Sequence, residues 1–101
     1  MDTKLLHEDE LVVAFADISP MAPVHALVVP KKHIVSVEEA GPEDRDLLGH
    51  MIHTAQKLAR DLGVSESGYR LVINNGAGAG QTVSHLHLHL LGGRALEPRL
   101  G

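Results

Sequence analysis

The sequence predicts an α+β fold: a five-stranded antiparallel sheet with one long helix on one face. Short runs of strand-forming residues at 4–7, 11–16, 25–29, 69–74 and 85–91 supply the strands. A single stretch, 42–62, repeats its apolar residues at helical spacing. The order is strands, helix, strands, without the regular alternation of a parallel α/β sheet.

The first two runs, KLLH and LVVAFA, are separated by Glu8-Asp9-Glu10 and read as a hairpin with an acidic turn. Asp17-Ile18-Ser19-Pro20 and Pro23 end the second strand, because proline has no ladder donor. His25–Val29 is a third strand stopped by Pro30. A short helix near 35–40, with Ser36 as its cap and Glu39 three residues on, fits the capping-box pattern. In the long helix Leu47, Leu48, Met51, Ile52, Ala55, Leu58, Ala59 and Leu62 form the buried stripe. Pro42, Glu43 and Asp44 suit its first turn and Gly63 its end. YRLVIN is the fourth strand, GAGAG (76–80) a flexible loop, and HLHLHLL the fifth strand, stopped by Gly92-Gly93.

The length of 101 residues, 44% apolar and 22% charged, fits one domain over 1–101. No apolar run approaches the ~18–20 residues that cross a bilayer. The N-terminus lacks a signal-peptide pattern, so the expected location is cytoplasmic. With no Cys there is no disulfide framework, thiolate metal site or Cys nucleophile. Nine basic against thirteen acidic side chains argue against nucleic-acid or anionic-membrane binding, which needs a basic face. The unusual count is eight His.

His85, His87 and His89 alternate with Leu86, Leu88 and Leu90. In a strand, alternate residues share a face, roughly 6.5–7 Å apart, so three imidazoles line one side while three leucines pack inward. One chemistry this permits is a metal site, with Asp17 or His25 as a further ligand. The other is phosphoryl chemistry, with one imidazole as nucleophile and its neighbours as donors. The preceding Gly76-Ala77-Gly78-Ala79-Gly80-Gln81-Thr82 favours the second, because glycines let backbone N–H groups approach an anion. His7, His33, His50 and His53 have no motif around them and read as surface or helix-face residues.

His85-Leu86-His87-Leu88-His89-Leu90-Leu91 resembles the His-φ-His-φ-His-φ-φ signature (φ apolar) of the histidine triad superfamily. FADISPMAPVHALVVPKKHI (15–34), DLLGHMIHTAQKLARDLG (46–63) and YRLVINNGAGAGQTVSHLHLHLLGG (69–93) resemble its nucleoside-phosphoramidase branch. The resemblance implies a homodimer paired through the long helix and one strand, with a continuous ten-stranded sheet. It implies a purine nucleotide ligand, AMP or GMP or a phosphoramidate, and no cofactor or metal. His87 then corresponds to the nucleophile that forms a nucleotidyl-histidine, and His89 to a donor to a phosphate oxygen. His85 orients the nucleophile through its backbone carbonyl and ring, fixing the proton on Nδ1 and leaving Nε2 free to attack. Gly80, Gln81, Thr82 and Asn74 lie by the phosphate, with Thr82 or His89 relaying a proton to the leaving group. Asp17 holds the ribose, Phe15, Ile18 and Leu27 form the base pocket, and His25 supports the cluster from behind.

The implied activity is hydrolysis of purine nucleoside 5′-phosphoramidates. The alternatives are hydrolysis of dinucleoside polyphosphates, a nucleotide-binding adaptor with little turnover, and a metal-dependent domain.

Overall fold

The computed structural model describes residues 4–98. Strands β1 (Leu5–Glu8), β2 (Val12–Ala16) and β3 (Val24–Pro30) come first, helix α1 (Arg45–Asp61) next, and β4 (Tyr69–Val72) and β5 (Leu88–Gly92) last. They form one five-stranded antiparallel sheet of order β1-β2-β3-β5-β4. The central strands β3 and β5 carry His25 and His89, and β1 and β4 are the edges.

The strand pattern sorts the sheet's faces by period two. Val12, Ala14, Ala26, Val28, Leu88 and Leu90 are buried and pack with Leu47, Met51, Ala55, Leu58 and Ala59 of α1 in one core. Each fully buried leucine there removes enough apolar surface to contribute about 1.5–3 kcal/mol. The opposite face holds the intervening residues, Phe15, His25, Leu27, Val29, His89 and Leu91, and α1 leaves it uncovered.

The helix is shorter than the 42–62 pattern suggests. Pro42–Asp44 forms a separate tight turn, and regular helix starts at Arg45. Asp44 is buried, accepting from the Gly41 amide at 3.0 Å and from Lys32 Nζ at 2.6 Å. Gly63, at φ +79°, ends the helix: Val64 N–H bonds Ala59 O at 2.9 Å and Gly63 N–H bonds Arg60 O at 3.2 Å. This pair of bonds satisfies carbonyls of the last turn and needs a left-handed residue at its pivot. The expected short helix near 35–40 is only a single tight turn, Val37–Glu39. Ser36 precedes it, but its hydroxyl makes no capping bond.

The strand bounds also shift. The β1–β2 turn is closed by Asp9 N–H on Val12 O at 3.0 Å. Asp9 does more than turn the chain: its Oδ1 accepts the Leu11 and Val12 amides at 2.8 and 2.9 Å. Its Oδ2 accepts from His7 and His50 Nε2, both at 2.7 Å. His7 and His50, read from sequence as unconnected surface residues, thus tie the hairpin to α1. β4 ends at Val72 rather than Asn74. Gly92 is the last residue of β5 rather than a stop, and a Cβ there would lie 3.2 Å from the Val64 side chain.

Candidate functional site

The His segment is only partly a strand. β5 pairs with β3 from Val24↔Gly92 to Val28↔Leu88, and residues 85–87 run out of the ladder. Pro30, two residues past the last pair, has no N–H to offer. Its carbonyl is instead taken by the His85 ring, Nε2 to O 2.9 Å. Leu86 N–H bonds Ile34 O at 2.7 Å, and its side chain is fully buried. The alternation survives this departure: Leu86, Leu88 and Leu90 are buried, while His85, His87 and His89 are half-buried. The His87 and His89 rings meet edge to face, centroids 4.9 Å apart.

Backbone carbonyls only accept, and amides only donate, so the His85, His87 and His25 rings have fixed tautomers, His85 carrying its proton on the Nε2 that faces Pro30 O. His87 Nδ1 lies 2.8 Å from His85 O, so Nδ1 carries the proton and Nε2 keeps a lone pair. Met21 N–H donates to His25 Nδ1 at 3.1 Å, which puts the His25 proton on Nε2. His25 Nε2 in turn lies 2.9 Å from His89 Nδ1. His89 is therefore the acceptor of that bond, and its neutral ring carries its proton on Nε2. Burial first, then the neighbouring His87 and His25, push the His89 pKa below its ordinary value, with Asp17 opposing. The neutral ring is favoured.

Two larger clefts adjoin these rings, beside a smaller one of about 190 Å³ at His25 and Asp17. The first, about 420 Å³, is lined by Phe15, Asp17, Ile18, Leu27, His85 and His87, all expected there from sequence, together with Ala16, Val29 and Val83. Val29 and Val83 were missed, although Val29 follows Leu27 on the same face of β3. The second, about 320 Å³, lies over β4 and β5 and includes His25, His89 and Asn74. Asp17 Oδ1 accepts the Ser19 amide at 2.8 Å, and its Oδ2 is 3.5 Å from His25 Nε2.

Gly80, Gln81 and Thr82 line neither cleft. The glycine-rich segment is not a loose loop: Ala77–Ala79 forms a tight turn, left by Gly80 at φ +86°. Asn74 Nδ2 donates to Ala79 O at 2.8 Å. Gln81 Oε1 accepts the Gly76 amide at 2.7 Å, and its Nε2 donates to Val35 O and Val83 O at 2.6 and 2.9 Å. The carboxamide is thereby engaged on every side. Thr82 is exposed, and among the described residues its hydroxyl and the amides of Thr82, Val83 and Ser84 have no partner. His33, which had no motif context, packs edge-on against His85 with centroids 5.0 Å apart.

Asp17, His25 and His89 each present a ligand atom, all within 4.8 Å of one another, and are the only such group among the described residues. Two nitrogens on a tetrahedral zinc ion stand roughly 3.3 Å apart, given Zn–N of ~2.0–2.1 Å. The 2.9 Å between His25 and His89 is a hydrogen bond instead. The group as it stands is a proton-ordered relay, and a metal there would have to spread it.

A family model for the HIT (histidine triad) domain matches residues 1–96, and the chain belongs to that family. Among its relatives is an uncharacterized HIT-like protein of Synechocystis sp., 54% identical over 90 residues, 89% of this chain and 78% of that protein. Another is the purine nucleoside phosphoramidase of Escherichia coli K12, 47% identical over 96 residues, 95% of this chain and 81% of that protein. Among solved structures, a HIT family hydrolase from Clostridium thermocellum superposes with a TM-score of 0.95 at 47% identity, covering 99% of this chain and 87% of that one.

Proposed function

We propose that this protein hydrolyses purine nucleoside 5′-phosphoramidates, splitting the P–N bond through a covalent nucleotidyl-histidine on His87. The observation that carries the reading is the His87–His85 bond, Nδ1 to O 2.8 Å, beside the first cleft. With Nδ1 protonated, the Nε2 lone pair is the free nucleophile. The phosphoramidase of E. coli, similar over most of the chain, supports the same substrate class.

The apolar walls of the first cleft, Phe15, Ile18 and Leu27, suit a purine, and Asp17 at its rim suits the ribose hydroxyls. The α-phosphate then lies toward His87 and His89. His89 Nε2–H donates to a phosphoryl oxygen, its direction held by His25. The uncommitted amides of 82–84 are further donors for an anion. In the first step the His87 Nε2–P bond forms as the P–N bond breaks, and the amine leaves with one added proton. In the second, water bonds to phosphorus, the His87–P bond breaks, and one proton is released with the nucleotide. Of the two proton carriers, Thr82 has the exposed and uncommitted hydroxyl, whereas His89 is tied to His25. Two such chains pair through α1 and the open edge of β4, extending the sheet to ten strands, in the cytoplasm.

The test is mass spectrometry of acid-quenched protein turning over adenosine 5′-phosphoramidate. One adenylyl group on His87 is expected, and His87→Ala keeps AMP binding while turnover is abolished. An unmodified protein, or a His87→Ala variant near wild-type rate, rejects the nucleophile.

A further inference from the structure

The second cleft has a chemistry that the hydrolysis described above does not use. It shares His25 and His89 with the reacting centre and runs away from it over β4 and β5. Its walls, Val72, Leu91 and Leu96, are apolar, and two guanidiniums, Arg70 and Arg94, stand at it. The chain carries a net charge of −4, so a pair of arginines at one cleft is a local reversal of sign.

Both arginines are held in place by backbone carbonyls. Arg94 donates to Met21 O at 3.1 Å and to Ala95 O at 3.2 Å. Arg70 donates to Glu97 O. Among the described residues neither guanidinium has a carboxylate partner, whereas Lys31, Lys32 and Lys57 are each paired with one. A guanidinium has five donors in a planar fork, so the one bond of Arg70 and the two of Arg94 to carbonyls orient each and leave N–H groups for a ligand. Such an anchored fork binds a carboxylate in two parallel bonds with little further ordering cost. Glu97 also lines the cleft, and its negative charge tempers the site without cancelling two arginines.

We propose that this cleft is the leaving-group subsite and that it selects amines bearing a carboxylate, as in an N-linked amino acid. This rests on the phosphoramidate reading. With the nucleoside in the first cleft and phosphorus between His87 and His89, the departing amine falls beside His89. Its side chain lies along Val72 and Leu91, and its carboxylate reaches Arg70 and Arg94.

The test compares kcat/KM for adenosine 5′-phosphoryl-glycine, linked through nitrogen, with that for the matching glycinamide. The intact protein is expected to favour the acid about tenfold, and Arg94→Gln and Arg70→Gln each to bring the ratio toward one. A ratio near one in the intact protein, or one untouched by both substitutions, overturns the subsite. A tenfold preference for a diadenosine polyphosphate over the acid overturns the carboxylate assignment, because phosphate then is the anion recognised. Calorimetry of the same acid and amide on His87→Ala separates the two readings. If the intact protein turns over neither compound yet the variant binds the acid ten times more tightly, hydrolysis fails and the subsite stands. If the intact protein turns over both and the variant binds them alike, hydrolysis stands and the subsite fails.

Discussion

His25 Nε2 lies 2.9 Å from His89 Nδ1, and the Met21 amide on the far side of His25 decides which ring is the donor. A backbone amide thus sets the tautomer of a ring two bonds away, and His89 presents N–H, not a lone pair, to the site. In His25→Leu the His89 proton is free to sit on either nitrogen. A hydrogen bond to a charged group contributes about 1.5–3 kcal/mol, so kcat is expected to fall roughly tenfold to a hundredfold. KM should change little, because His25 does not touch the nucleotide. His25→Gln, which restores an N–H donor, should recover part of the rate. Equal losses in Leu and Gln variants, or a change confined to KM, would contradict the relay.

The lowered pKa of His89 has a consequence for stability. The unfolded chain takes up that proton at the ordinary value of about 6.5, and the folded protein resists it until the pH is lower. The folded state therefore has its full stability above about pH 6.5 and loses this contribution as pH falls from there through the folded pKa. Thermal melts between pH 8 and 5 should show Tm dropping in the intact protein, with a shallower drop in His89→Gln. Parallel curves for the two proteins would mean that His89 is not the group responsible.

The His25 relay was beyond reach of the sequence; the His87 tautomer came from the family resemblance and not from the strand pattern, which separated only the faces. Alternation in His85–Leu90 separated rings from core, because a period of two needs only local backbone geometry. The end of the ladder at Leu88 depends instead on Pro30, more than fifty residues away, and on Ile34 accepting from Leu86. Apolar residues near the first cleft were legible because Phe15 and Leu27 sit on strands of known phase. Gln81 was placed by the phosphate, yet its carboxamide closes its own loop, since a chain rich in glycine needs side-chain bonds to hold one shape. Arg70 and Arg94, twenty-four positions apart, meet at one cleft only because β4 pairs with β5.

Asp9 gives a prediction away from the site. Its carboxylate is held well below the usual range, chiefly by the His7 bond and further by His50 and two backbone amides, against a smaller opposing effect of desolvation. In Asp9→Asn the amide oxygen keeps the turn bonds to Leu11 and Val12, but the charge facing two imidazoles is gone. A loss of about 1–2 kcal/mol follows from two weakened charge-assisted bonds at a partly exposed position. For a domain of this size that is a Tm lower by roughly 4–15 °C. His50→Ala in the same background should then cost little more, because its partner is already lost. Additive effects would show that Asp9 and His50 do not act as a pair.

Gln81 closes the glycine-rich turn with three bonds, to Gly76 N–H, Val35 O and Val83 O. Leucine is of similar bulk and has none of those groups, so Gln81→Leu tests the bonds more than the volume. Each bond contributes about 0.5–1.5 kcal/mol, and the position is half-exposed, so the local opening free energy should fall by about 1–3 kcal/mol. The global melt should move only slightly, because the core lies under α1 and not under this turn. The Gly76 amide, which has the Gln81 side chain as its acceptor, should exchange with solvent roughly five to a hundred times faster. The chain from 82 to 84, with its uncommitted amides, starts from the same turn, so kcat/KM for adenosine 5′-phosphoramidate should fall about tenfold. Unchanged Gly76 protection in the leucine variant would show that the turn is held by its backbone alone, and rate loss with full protection would return the carboxamide to direct contact with the phosphate.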